Sequence, residues 1–137
     1  MRIILDTNVF VSGIFWSGPP CKILEAWHER KVKLVLSEEI LNEYDRVAKA
    51  ISKKYPDIDL SPFMELLAFH AEMYVPMKLP HSISRDPDDD KFIACALSSN
   101  VNLIVSGDQD LVVISNFREV KIVSPADFVK KHLAKIK

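Results

Sequence analysis

Glycine is scarce in this chain, at 3 of 137 residues, and the glycine-rich phosphate-binding loops are missing. Neither the Gly-x-Gly-x-x-Gly run of dinucleotide-binding folds nor the Gly-x-x-x-x-Gly-Lys-Ser/Thr run of nucleotide triphosphatases occurs. The 2 cysteines, Cys21 and Cys95, form no Cys-x-x-Cys pair, so a structural zinc site is not expected. We expect both to be reduced thiols, with a single disulfide as the alternative.

Long hydrophobic runs and an excess of one charge are also absent. No stretch of 18 apolar residues occurs, which excludes a predicted membrane span. Asp6 and Asn8 interrupt the apolar N-terminal segment, so it does not resemble a signal peptide, and a cytoplasmic location is expected. Lys and Arg total 18 against 19 Asp and Glu, a net charge of −1, so nucleic acid would have to be attracted by local basic patches or bound metal.

The remaining composition is that of a globular protein, with 48% hydrophobic and 27% charged residues, and residues 1–137 are expected to form one domain. Short apolar runs predict four strands, at residues 2–5, 32–36, 102–105 and 120–123. Helix-initiating residues lie between or after them, at residues 17–20, 37, 61–62, 86–87 and 124–125. Strands alternating with helices predict an α/β fold with a parallel sheet.

Acidic residues follow the predicted strands. Asp6 comes directly after the first strand and Asp108 shortly after the third, while Glu43 lies in the helix that follows the second. The aspartate-rich run 86–90 begins the helix that leads into the third strand. Because ligand sites in open α/β sheets form at the carboxyl ends of the strands, these acids are expected to meet at one edge.

A cluster of carboxylates is costly unless a cation offsets the repulsion. Oxygen ligands with few histidines favour Mg²⁺ or Mn²⁺ over zinc, and such sites hydrolyse phosphodiester bonds with metal-activated water. Taken singly, each acid also has a structural role: Asp6 or Asp108 could cap a turn, and Glu43 could pair with Arg46. Asp88 and Asp89 suit a helix N-terminus. Their joint placement favours the metal site.

Four segments, in order, resemble the motifs of the PIN domain family, the nuclease fold of VapC-like toxin ribonucleases. Residues 4–8 (Ile-Leu-Asp-Thr-Asn) resemble the first motif, and Glu43 resembles the second acid. Residues 90–94 (Asp-Lys-Phe-Ile-Ala) resemble the third motif, and residues 106–108 (Ser-Gly-Asp) resemble the fourth. The run 86–90 resembles the branch described as toxins of toxin–antitoxin pairs.

The resemblance implies a three-layer α/β/α sandwich around a parallel sheet of about five strands, one more than the apolar runs predict. It implies a Mg²⁺- or Mn²⁺-dependent endoribonuclease that acts on RNA, forms a homodimer and is inhibited by an antitoxin protein. The implied catalytic and metal-binding acids are Asp6, Glu43, Asp90 and Asp108. The implied supporting residues are Asn8, Ser106 and Asp86.

Other residues are weaker candidates for contact with RNA. Trp16 could stack on a base, and Arg46, Lys49 and Arg85 could bind phosphate, although a solvated surface is the default expectation for Arg46 and Lys49. Trp27 lies on an apolar helix stripe and is expected in the core. The alternative function is a non-catalytic PIN-like module that binds RNA or a protein. A phospho-receiver or phosphatase would need paired acids at the first strand, which residues 6–8 do not match.

Overall fold

Five strands form one parallel sheet in the computed structural model, which describes residues 1–76, 78–79, 83, 87–112 and 117–135. The strands are β1 (Arg2–Leu5), β2 (Lys33–Leu36), β3 (Glu72–Met73), β4 (Leu103–Val105) and β5 (Lys121–Val123). Their order across the sheet is β3-β2-β1-β4-β5, and every neighbouring pair is parallel. The chain therefore builds outward from β1 in one direction and then returns to add β4 on its other side.

Helices flank this sheet and complete a three-layer α/β/α sandwich. The described residues form α1 (Thr7–Phe15), α2 (Pro19–His28), α3 (Glu38–Ser52), α4 (Ser61–His70), α5 (Asp90–Ser99), α6 (Gln109–Val112) and α7 (Pro125–Lys131). Short 3₁₀ turns lie at Pro87–Asp89 and Leu133–Lys135. The α/β class and the central parallel sheet predicted from the sequence are confirmed.

Two helices begin at the capping residues that the sequence predicted. The Ser37 hydroxyl accepts a hydrogen bond from the Ile40 amide at 3.3 Å, and α3 starts at the next residue. The Ser124 hydroxyl accepts one from the Asp127 amide at 3.1 Å at the start of α7. Each cap satisfies an amide that has no partner within its own helix.

The core is built on the two faces of β1 and its neighbours. Ile3, Ile4 and Leu5 are fully buried, as a strand covered on both faces requires. Phe10 of α1 stacks on Tyr44 of α3, with ring centroids 4.3 Å apart. The Tyr44 hydroxyl is fully buried and donates a hydrogen bond to the carbonyl of Leu5, so the aromatic pair also fixes the end of β1.

Several elements differ from the sequence prediction. α1 was not predicted, because seven of its nine residues are buried and no polar face marks a helical period. β3 is the strand that the apolar runs did not predict, because its two residues are too few to form such a run. Within the aspartate-rich run, Pro87–Asp89 form a 3₁₀ turn, and the α-helix starts only at Asp90.

Other expectations concern the thiols and the core. Cys21 and Cys95 are both free, as expected. Trp27 is 2% exposed, which confirms its place in the core. Within the described ranges, no helix combines the length and the apolar character that crossing a bilayer requires.

Candidate active site

Asp6 directly follows β1, which is the central strand of the sheet. Its amide donates to the carbonyl of Val105 at 2.9 Å, which extends the pairing of β1 with β4 by one residue. Its side chain is 4% exposed and makes no capping hydrogen bond to α1. The Asp6 carboxylate therefore lies where β1 ends and α1 begins.

Ser106 connects Asp6 to the segment that contains Asp108. The Ser106 side chain is fully buried, and its hydroxyl donates to Oδ2 of Asp6 at 2.7 Å. The same hydroxyl accepts a hydrogen bond from the Asp108 amide at 2.9 Å. One hydroxyl thus orients the first acid and fixes the backbone of the last.

Glu43 reaches the same region from α3. The Thr7 hydroxyl donates to its Oε1, and the Lys91 ammonium forms an ion pair with its Oε2. The sequence offered Arg46 as an alternative ion-pair partner of Glu43. In the structure, Glu43 forms its ion pair with Lys91 of α5. Both carboxylate oxygens are consequently held by neighbouring side chains.

Asp90 is the first residue of α5, and its carboxylate accepts hydrogen bonds from the Ile83 amide at 3.1 and 3.2 Å. This contact ties the connection before α5 to the start of the helix. Asp86 and Arg85, which the sequence predicted as a supporting residue and a phosphate contact, lie outside the described residues.

The acids influence one another electrostatically. Burial raises the pKa of Asp6 above its ordinary value, while the hydrogen bond from Ser106 opposes that shift. The negative charges of Asp108 and Glu43 raise the pKa of Asp6 further. Asp6 is therefore within electrostatic range of two other predicted acids, Glu43 and Asp108, which come from separate segments of the chain.

The proximity of these acids does not by itself form a complete set of metal ligands. Among the residues that the structure describes, no three acidic, histidine or cysteine side chains are grouped closely enough to hold a metal ion. The assignment of Asp6, Glu43, Asp90 and Asp108 as ligands of one cation remains a prediction.

An open cavity of about 300 Å³ lies against Asp6 and Asp108. Asn8, Ser12 and Gly107 also line it, and the supporting role of Asn8 remains a prediction. The oxygen atoms around this cavity are of the kind that Mg²⁺ and Mn²⁺ prefer, and the donor chemistry fits such an ion. A second cavity, of about 350 Å³, is lined by residues of α2 and α4 and by none of the predicted acids.

Thr7 and Lys91 were not predicted as parts of the site. Thr7 directly follows Asp6, and Lys91 directly follows Asp90, so both are adjacent to predicted acids in the sequence. Adjacency alone did not show that both side chains turn to Glu43, because that depends on how α3 packs against α1 and α5.

Three of the four residues predicted to contact RNA are described by the structure, and they lie on the surface. Trp16, just after α1, is 47% exposed and contacts Tyr55 with ring centroids 5.9 Å apart. Arg46 and Lys49 are exposed on α3, and the Lys49 ammonium pairs with Asp45 at 2.9 Å.

A family model described as a PIN domain matches residues 2–110, a span that includes all four predicted acids. The chain belongs to the PIN domain family. PIN domains are generally metal-dependent nucleases. No curated protein and no solved structure matched the chain.

The raised pKa of Asp6 predicts that Asp6→Asn stabilises the fold at neutral pH when no divalent ion is present. A raised pKa in the folded state means that the buried carboxylate loses stability as it ionises. The amide keeps an acceptor for Ser106 but has no charge. The gain in the free energy of unfolding should shrink as pH falls through the raised pKa of Asp6, and it should be gone below about 4, the ordinary Asp range. Urea unfolding in EDTA at several pH values measures it.

Asp57→Asn is the matched control, because Asp57 is exposed. An Asp6→Asn variant that is less stable than wild type at neutral pH would contradict the argument.

Proposed function

We propose that the protein is a metal-dependent endoribonuclease that hydrolyses RNA phosphodiester bonds. The observation that supports this most directly is the buried Asp6 carboxylate, oriented by Ser106 beside Asp108 at the edge of an open cavity. A charged group with this little exposure is costly, and perturbed acids in a cleft are typical of functional sites. Membership of the PIN domain family makes nuclease activity the first candidate.

Asp6 and Asp108 would hold Mg²⁺ or Mn²⁺ at this cavity. Glu43 and Asp90 would lie within direct or water-bridged reach. When bound, the ion supplies a polarised water and offsets negative charge on the phosphate. Ser106 keeps the Asp6 carboxylate oriented toward the cavity edge, and Thr7 holds that of Glu43. Water is the proposed nucleophile, with no covalent intermediate on the protein.

Cleavage of RNA by the wild-type chain should require Mg²⁺ or Mn²⁺ and should fall by at least about 100-fold in Asp6→Asn and in Asp108→Asn. The substitutions remove carboxylate oxygens without removing the fold. Asp57→Asn, on an exposed residue, should cleave at the wild-type rate. A fluorogenic RNA assay at fixed Mn²⁺ concentration compares the four proteins.

The same variants separate metal binding from a merely structural role of the acids. An ion at 100 times its dissociation constant adds about 2.7 kcal/mol of stability, or roughly 5–10 °C in melting temperature for a domain of this size. The rise should be present in wild type and Asp57→Asn and absent in the two site variants. If Mn²⁺ neither supports cleavage nor raises the melting temperature, the non-catalytic RNA- or protein-binding module becomes the better assignment.

Trp16 is the proposed stacking residue for the RNA substrate. Trp16 is 47% exposed whereas Trp27 is 2% exposed, so quenching of tryptophan fluorescence by RNA would come from Trp16. Single-stranded RNA added to Asp6→Asn in EDTA should quench this fluorescence. Trp16→Ala in the same background should weaken binding by about tenfold, since stacking on one base contributes ~1–3 kcal/mol. RNA binding that is equally tight in both proteins would rule out the stacking role.

We also propose that the protein is the toxin of a toxin–antitoxin pair, that it is cytoplasmic and forms a homodimer, and that an antitoxin protein inhibits it. The resemblance of the motifs and of the run 86–90 to such toxins supports this. Expression of the wild-type chain should then arrest cell growth, and Asp6→Asn should not. Growth at the normal rate with cleavage-competent protein would leave the nuclease assignment and remove the toxin role.

A further inference from the structure

Lys91 places a buried ammonium at the acid site. Its side chain is 7% exposed, although lysine is among the residues least often buried. The ammonium forms an ion pair with Oε2 of Glu43 and donates to the carbonyl of Asp88 at 2.7 Å. It also lies 5.4 Å from the centroid of the Phe92 ring. These contacts fix the ammonium in position, whereas most lysine ammonium groups move freely in solvent.

The ion pair changes the charge that a divalent cation would meet. The negative charges of Glu43 and Asp108 both act on Asp6, since each raises the pKa of its carboxyl group. The Lys91 ammonium offsets the charge of Glu43, so the pair is close to neutral. The cavity itself is lined by the carboxylates of Asp6 and Asp108.

We propose that Lys91 is a built-in cation of the acid site, which neutralises Glu43 and competes with divalent ions for it. The proposal rests on the proposed metal dependence. A divalent ion that used Glu43 directly would have to displace the ammonium, and the ion that binds at Asp6 and Asp108 is repelled by it. Lys91 therefore lowers the affinity of the chain for divalent ions and limits the positive charge that collects at the site.

Two other roles for Lys91 predict different results. If the ion pair only joins α3 to α5, its loss should change stability and leave divalent-ion affinity unchanged. If Lys91 positions Glu43 as a direct ligand, its loss should weaken the binding of divalent ions. A built-in cation is the one role for which removal of the positive charge strengthens binding.

Calorimetric titration of the full chain with Mn²⁺, without RNA, tests the proposal independently of catalysis. Lys91→Met should lower the dissociation constant for Mn²⁺ by about tenfold, because a positive charge near the site is removed. Glu43→Gln should raise it, because the ammonium is then uncompensated. The double variant should return close to wild type, since a neutral pair has been replaced by two neutral side chains.

Two further variants serve as controls for the titration. Lys91→Arg keeps the charge and should bind Mn²⁺ within about twofold of wild type. Lys91→Gln removes the charge but keeps a donor for Asp88 and Glu43, so it provides the same test if Lys91→Met does not fold.

The outcomes distinguish this proposal from the proposed function. Wild-type protein that binds no Mn²⁺ would overturn the proposed function and this inference with it. Wild-type protein that binds Mn²⁺, with equal or weaker binding in the uncharged Lys91 variants, would overturn the inference alone. Tighter binding that persists in the Lys91→Met, Glu43→Gln double variant would also overturn it, because Glu43 would not be the group that Lys91 neutralises.

Discussion

The hydrogen bond from Ser106 to Asp6 is the interaction on which the rest of the site depends. Asp6 ends β1 and Ser106 follows β4, so the bond joins the two strands at which the chain reverses its direction across the sheet. Ligand sites of open α/β sheets form at this kind of switch point. A carboxylate buried to 4% exposure would be unstable there without a donor, and the Ser106 hydroxyl supplies it.

The side chains around Asp6 are held by neighbouring groups in the same way. Glu43 adds a second negative charge to the edge of the sheet, and its two oxygens are engaged by Thr7 and Lys91. Tyr44, the next residue of α3, anchors the carbonyl of Leu5 and so fixes the backbone directly before Asp6. Stability and function are thus combined in α3, where adjacent residues face the core and the acids.

The sequence predicted the strands that form continuous apolar runs and the helices that have one buried face. The helix after Ser37 was predictable because Ile40, Tyr44 and Ala48 are buried and repeat at helical spacing. α1 was not, because its burial on nearly all sides removes the polar face that would show the period. The two-residue β3 is set by its pairing with β2, a tertiary contact that has no local pattern.

The same distinction applies to the site. The positions of Asp6 and Asp108 after strands predicted that they would share an edge. The pairing of Leu5 with Val105, which brings Ser106 to Asp6, is a matter of strand register and could not be predicted from either segment alone. The ion pair between Glu43 and Lys91 depends on how α3 packs against α5. The position of Lys91 next to Asp90 in the sequence does not indicate that packing.

Strand order also determines when the site can exist during synthesis. β1 is made first, but one of its two neighbours, β4, is made after about three-quarters of the chain. The Asp6–Ser106 bond spans 100 residues, so a nascent chain that has emerged only as far as α5 has the first three acids and lacks the hydroxyl that orients Asp6. Until β4 enters the sheet, one side of β1 is an open edge and the acid site is incomplete. A ribosome translating this protein is therefore not exposed to a finished acid site on its own nascent chain until residues 103–108 have left the exit tunnel.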